Sequence, residues 1–177
     1  MIISLIVVLA CVLVWMAMVP RVSSVSNPVT DLPGIVRENS RSTHWDLAVA
    51  DGLPKGWAPT NVHLLKPSKA HVTWQAGYTG PDNAYAAVLQ TRDGGAGWVA
   101  ERTGDGSKVG TQTVDGVTWT RYEKASNGQR SLVRSTPLAG LTTVVTGTTG
   151  WKQLGMFASA LTPYSKSTLT PTPGETP

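Results

Sequence analysis

The sequence predicts an α+β protein: an N-terminal transmembrane helix, then an antiparallel β-sheet domain with a C-terminal amphipathic helix packed on one face. Three observations lead there. The run Met1 to Val19 carries no charged side chain. Short segments from residue 72 onward alternate apolar and polar residues and are separated by Gly, Asp-Gly and Asn-Gly turns, the period of half-buried strands. The last apolar pattern, Trp151, Leu154, Phe157, Ala158 and Leu161, has helical spacing and gives a sheet something to bury its face against.

At 1.5 Å per residue the run 1–19 extends about 28 Å, close to the hydrocarbon thickness of a bilayer. It is longer than a signal-peptide core and has no basic residue before it, so an uncleaved single-span anchor is the reading it supports. Val8-Leu9-Ala10-Cys11 has the look of a lipobox, but eight apolar residues follow Cys11, and a small apolar cysteine inside a membrane helix accounts for it. Cys11 is the sole cysteine, so neither an intramolecular disulfide nor a cysteine metal cluster can form. Sidedness is not set by charge. Arg21 follows the span, which by the positive-inside rule would leave the domain in the cytoplasm; a basic stretch upstream of Met1 would reverse this.

Residues 20–44 read as a polar stalk, with a short helix over Ile35 to Ser42 after Pro33-Gly34. The domain is expected over 45–162. Leu53 to Trp57 is a turn set by Pro54 and Gly56 that brings Trp57 to the core. Val72, Trp74, Ala76 and Tyr78 form one face of a strand, and Gly80 to Asn83 a turn. Tyr85, Ala87 and Leu89 form one face of the next. Asp93 to Gly97 is a loop, and Trp98 to Arg102 a helical turn. Asp115-Gly116 and Asn127-Gly128 read as two-residue type I′ turns joining strands Lys108–Val114, Val117–Lys124 and Gln129–Ser135. Leu141 to Gly147 is a β-branched strand. The final helix would be capped by Thr148 or Thr149 and stopped at Thr162-Pro163. Residues 163–177 are Pro/Thr-rich without apolar period and read as a disordered tail.

Catalytic chemistry is poorly represented. The histidines are His44, His63 and His71. His63 and His71 would face each other across a turn at 67–70, yet no carboxylate lies between them, so no metal site is predicted. No Gly-x-Ser-x-Gly elbow occurs, and the Gly-rich loop at 93–97 lacks the Gly-Lys-Ser/Thr ending of a phosphate loop. Asp93, Asp105 and Asp115 each precede glycine and serve turns. No catalytic, cofactor or metal residues are assigned.

Charge and aromatics give the candidate sites. Residues 21–116 hold nine Lys/Arg and nine Asp/Glu, whereas 117–166 hold six Lys/Arg and Glu123 alone. Arg121, Lys124, Arg130 and Arg134 on adjacent strands form an anion-contact face for an acidic envelope polymer or partner protein. Trp57 and Trp98 border turns and are the groove aromatics, while Trp74, Trp119 and Trp151 read as core. A nucleic-acid partner is set aside for a domain outside the cell.

The chain also resembles an actinobacterial membrane-anchored family of unknown function, domain of unknown function 4245. The resemblance rests on the order of the apolar span, Leu53-Pro54-Lys55-Gly56-Trp57, Trp74-Gln75-Ala76-Gly77-Tyr78 with Pro81, Tyr85 to Gln90, Gly116-Val117-Thr118-Trp119 and Val144 to Thr148. It implies a single-pass membrane protein with an extracytoplasmic domain and supplies no catalytic residues. Its members carry a basic stretch before the span, which this chain lacks. The function expected is a non-enzymatic binding or scaffold module of the cell envelope. The alternatives are a carrier of a small apolar ligand between sheet and helix, and a hydrolase.

Overall fold

The computed structural model describes residues 31–66 and 71–169. The expected membrane anchor, the first part of the stalk, the turn at 67–70 and the tail from residue 170 lie outside the described residues. Among the described residues no helix is long and apolar enough to cross a membrane.

Seven strands form one antiparallel sheet: β2 (Ala58–Leu65), β3 (Thr73–Thr79), β4 (Tyr85–Thr91), β5 (Ser107–Val114), β6 (Val117–Lys124), β7 (Gln129–Arg134) and β8 (Thr142–Gly147). Their order is β2-β3-β4-β8-β7-β6-β5. A two-stranded ribbon, β1 (Ala48–Ala50) with β9 (Leu161–Pro163), lies outside that sheet. Helices α1 (Leu32–Thr43), α2 (Ala96–Arg102) and α3 (Trp151–Ser159) complete the fold.

The sheet buries both faces near its centre. Trp74, Ala76 and Tyr78 of β3 share one face with Ala86 and Val88 of β4, and there meet Leu154 and Phe157 of α3 and Leu32 and Val36 of α1. Tyr78 meets Phe157 edge-on, with ring centroids 5.3 Å apart. On the other face Leu89 and Val144 lie under Trp98 of α2, whose indole Nε1 donates to Thr73 Oγ1 at 3.0 Å. Two expectations change here. Helices cover both faces rather than one. The main core uses Ala86 and Val88 of β4, while Leu89, on the predicted face, serves the second cluster.

The β1–β9 ribbon is tied to the sheet by side chains. β9 pairs one edge of β1. At the other edge, Ala48 N–H donates to Gln90 Oε1 (2.7 Å), Ala48 C=O accepts from Trp74 Nε1 (2.9 Å), and Ala50 N–H donates to the Tyr78 hydroxyl (3.1 Å). Three side chains of the large sheet thus replace a third strand, which satisfies backbone groups that burial would otherwise leave unpaired. Two aspartates flanking β1 then strap the chain beyond β9. Asp46 accepts from Ser165 N and Oγ (2.9 and 2.6 Å), and Asp51 from Thr168 N and Oγ1 (2.7 and 2.8 Å). Residues 163–169, read as tail, therefore belong to the packed fold, with Tyr164 buried.

The second half of the stalk is likewise part of the domain. Asp31 caps α1 by accepting from Gly34 N at 3.1 Å, Pro33 occupies the first turn, and His44 ends the helix in the left-handed region at φ 57°. Asp115 and Gly116 form the predicted type I′ turn, with φ 47° and 75°. The β6–β7 connection is instead a four-residue loop, 125–128, in which Gly128 (φ 68°) is left-handed and Asn127 Oδ1 accepts from Gln129 N. The N-cap of α3 is Gly150, not Thr148 or Thr149; the Thr149 hydroxyl meets the Gln153 side chain instead.

Candidate functional site

The strand register divides the predicted basic face. Trp119↔Arg134, Arg121↔Leu132 and Glu123↔Arg130 are paired across β6 and β7, so all six point to one side. Trp119 and Leu132 are core residues, and that side carries α3. Lys124 pairs with Gln129 and points to the opposite side, where it lines a hollow of about 440 Å³ with Gly104, Asp105 and Ser107. Three arginines come together, and Lys124 stands apart.

The three arginines are not equivalent. Arg134 Nη1 donates to Thr136 C=O (2.6 Å), Thr136 Oγ1 (2.9 Å) and Pro137 C=O (3.0 Å). Its burial lowers its pKa from the usual arginine value, and it is engaged in holding the loop after β7. Arg130 forms an ion pair with Glu123 at 3.0 Å. Arg121 has its guanidinium carbon 4.0 Å from the centroid of the Trp151 ring, with Arg130 at 5.7 Å from the same ring. A guanidinium so placed gains about 0.5–2 kcal/mol from the indole quadrupole. Among the described residues no acid lies within ion-pair distance of Arg121, and its Nε is buried without a hydrogen-bond partner. Its charge is oriented but not neutralised.

Beside this platform runs a groove of about 430 Å³ between β5 and α3. Gln112 and Val114 form one wall; Trp151, Lys152, Gly155 and Met156 form the other. Gly155 makes the approach possible, since a Cβ there would come within 2.9 Å of Gln112 Nε2. Past Ser159 the groove continues into a tighter recess of about 110 Å³ bounded by Trp119, Arg134, Leu138 and Leu161. Asp115 borders both. The groove thus has a cationic end at Trp151 and Lys152 and an acidic end at the β5–β6 turn.

The predicted groove aromatics lie elsewhere. Trp98 is 3% exposed and fills the second core cluster. Trp57 packs on Phe157 at 5.9 Å and over Gly80, where a Cβ would lie 2.6 Å from the indole. Trp151, read as core, is the aromatic that lines the groove. Helical spacing placed Trp151 on the apolar stripe, but at the first turn of α3 it sits at the stripe's end, half-buried under arginines that reach it from β6 and β7.

Among the described residues no reactive constellation assembles at the groove. His63 pairs with Gln75, and His71 lies before β3, so the two do not oppose each other. Among the described residues no group of three or more His, Cys, Asp or Glu is placed to hold a metal. Neither the groove nor its recess brings a histidine to Asp115 or Ser159.

The family model described as "Protein of unknown function (DUF4245)" matches residues 1–161. No curated protein and no solved structure matches the chain.

Proposed function

We propose, for a chain that belongs to the DUF4245 family, a role as a membrane-tethered, extracytoplasmic and non-enzymatic binding module of the cell envelope. Its α3-side face, built from Arg121 and Arg130 around Trp151 with Lys152 alongside, receives an acidic partner. One observation carries this reading: Arg121 is held on Trp151 with no acid among the described residues to neutralise it, next to an open groove. An oriented guanidinium that has already lost part of its side-chain freedom binds a carboxylate at lower entropic cost than a mobile surface lysine. The apolar run 1–19 supports the tether.

The test is binding of a fluorescent polyacrylate probe, a polycarboxylate without backbone amides, to the full chain in nanodiscs of neutral lipid. Arg121→Gln should weaken binding about tenfold, the scale of one charge-assisted contact, and raised salt should weaken the parent protein more than the variant. Equal binding by parent and variant would refute the face. Sidedness is tested separately: a C-terminal alkaline phosphatase fusion that stays inactive in cells would refute an extracytoplasmic domain.

The carrier alternative has less support. The space between sheet and α3 is filled by Leu154 and Phe157; the groove of about 430 Å³ beside it is open and carries polar and charged groups at Gln112, Asp115 and Lys152, and its tighter recess of about 110 Å³ is well below the roughly 300 Å³ at which small-molecule pockets begin. The hydrolase alternative has less support too, since among the described residues no histidine lines the groove beside Asp115 and Ser159.

A further inference from the structure

The groove beside α3 follows an open edge of the sheet, because β5 is the last strand in the order. Val114 and Val117 flank the two-residue turn, so they exchange both backbone hydrogen bonds. Antiparallel alternation then makes Gln112↔Trp119 the next hydrogen-bonded pair, with Thr111↔Thr120 and Thr113↔Thr118 the non-bonded pairs between. The N–H and C=O groups of Thr111 and Thr113 consequently point away from β6. Among the described residues nothing takes them, and both threonines are exposed. A bulge between Lys108 and Gly110 ends the regular ladder, so the open edge is short and lies beside the groove. Gly110, opposite Arg121, carries no side chain and has open space around it, which leaves that flank of the edge uncovered.

We propose that this edge and groove take up an extended, acid-bearing segment of a partner polypeptide, which adds to β5 as an antiparallel eighth strand. Backbone pairing would come from Thr111 and Thr113, and alternate side chains would enter the groove against Trp151 and Met156, the pattern of strand addition generally. Charge sets the position of the acid along the strand. An antiparallel strand starts beside Val114 and Asp115 and finishes beside Gly110 and Arg121. Its acidic side chain therefore belongs in its C-terminal half, against Arg121 and Lys152. An anionic glycan polymer would satisfy the cations but not the outward amides of Thr111 and Thr113; a peptide satisfies both. The inference rests on the acidic-partner reading of Arg121 and adds the class of partner and its conformation.

The test uses the full chain in nanodiscs of neutral lipid and three probes. One is a fluorescent peptide of alternating valine and threonine ending in glutamate. The second is the same peptide N-methylated at the alternate amides that would face β5. The third is polyacrylate, a polycarboxylate with no backbone amides, which carries charge alone. N-methylation should weaken peptide binding about tenfold, the loss of two backbone hydrogen bonds. Thr113→Pro, which removes an outward N–H without touching the β6 ladder, should also weaken binding of the unmodified peptide and leave polyacrylate binding unchanged. Should that variant fail to fold, the N-methylated peptide on the parent protein answers the same question. Equal binding of the parent and N-methylated peptides would overturn strand addition even where Arg121→Gln still weakens polyacrylate binding. Discrimination by N-methylation with no effect of Arg121→Gln on polyacrylate would instead overturn the acidic-partner reading.

Discussion

Replacing Tyr78 by Phe should destabilise the domain at neutral pH and cease to do so in alkali. Tyr78 is 2% exposed, and its hydroxyl accepts the Ala50 N–H at 3.1 Å. Burial pushes its pKa up to about 12; the Ala50 hydrogen bond opposes the shift and the nearby Asp51 charge adds to it. The unfolded chain releases this proton near pH 10. Below that the tyrosine is neutral in both states and its stabilising contribution is complete. Between about pH 10 and 12 the unfolded state loses the proton while the folded state keeps it, so stability falls as pH rises. A rise from 10.0 to about 12 corresponds to at most about 2.7 kcal/mol. Tyr78→Phe removes that loss, but at neutral pH it leaves the Ala50 N–H without an acceptor, costing about 1–2 kcal/mol. Urea midpoints followed by tryptophan fluorescence should place the variant below the parent at pH 7, with the two converging above about pH 11. Tyr85, whose pKa is also raised by burial, leaves a shared residual slope in both proteins. Parallel curves across this range, or equal midpoints at pH 7, would refute the assignment of Tyr78 as the partner of β1.

Gln90→Leu should lower stability by about 2–3 kcal/mol with an unchanged denaturant slope, because it orphans the buried Ala48 N–H and removes the bond to Thr143 Oγ1. Asp51→Ala should cost about 1–2 kcal/mol; amide exchange should accelerate around Thr168 and leave the strands of the large sheet protected. Gly155→Ala should raise the thermal midpoint, since alanine is favoured by about 1 kcal/mol inside a helix and the clashing Gln112 Nε2 is the end of a flexible side chain. A lower midpoint would mean that Gln112 is fixed.

Local chemistry made several elements legible. The Asp115-Gly116 turn needs two positive φ values, and the sequence supplies residues that tolerate them. The α3 stripe of Leu154, Phe157 and Ala158 is buried as its spacing predicts. Elements whose justification is non-local were not legible. β2 is an edge strand with Pro59 and a bulge between Pro59 and Asn61, and it lacks a clean alternation. β1 spans only three residues, and its partner β9 is made of Leu161, read as the last position of the helical stripe, and Thr162-Pro163, read as the helix stop. The site escaped for a related reason. Charge clustering along β6 and β7 located three arginines, but one-residue parity sends Lys124 to the other side of the sheet. The indole that orients Arg121 comes from a helix far along the chain, at Trp151, a pairing that no local pattern encodes.

The Asp46 strap joins residues 119 positions apart, and the ribbon beside it pairs Ala48 with Pro163. Closing a loop of that length costs roughly 4 kcal/mol of chain entropy, so the seven-stranded sheet has reason to assemble before its ribbon does. During synthesis the wait is longer still. The edge of β1 that β9 covers must stay open until almost the whole domain has left the ribosome, and Gln90, Trp74 and Tyr78 hold only its other edge. The final turn of biosynthesis, rather than the first hydrophobic collapse, completes the native structure.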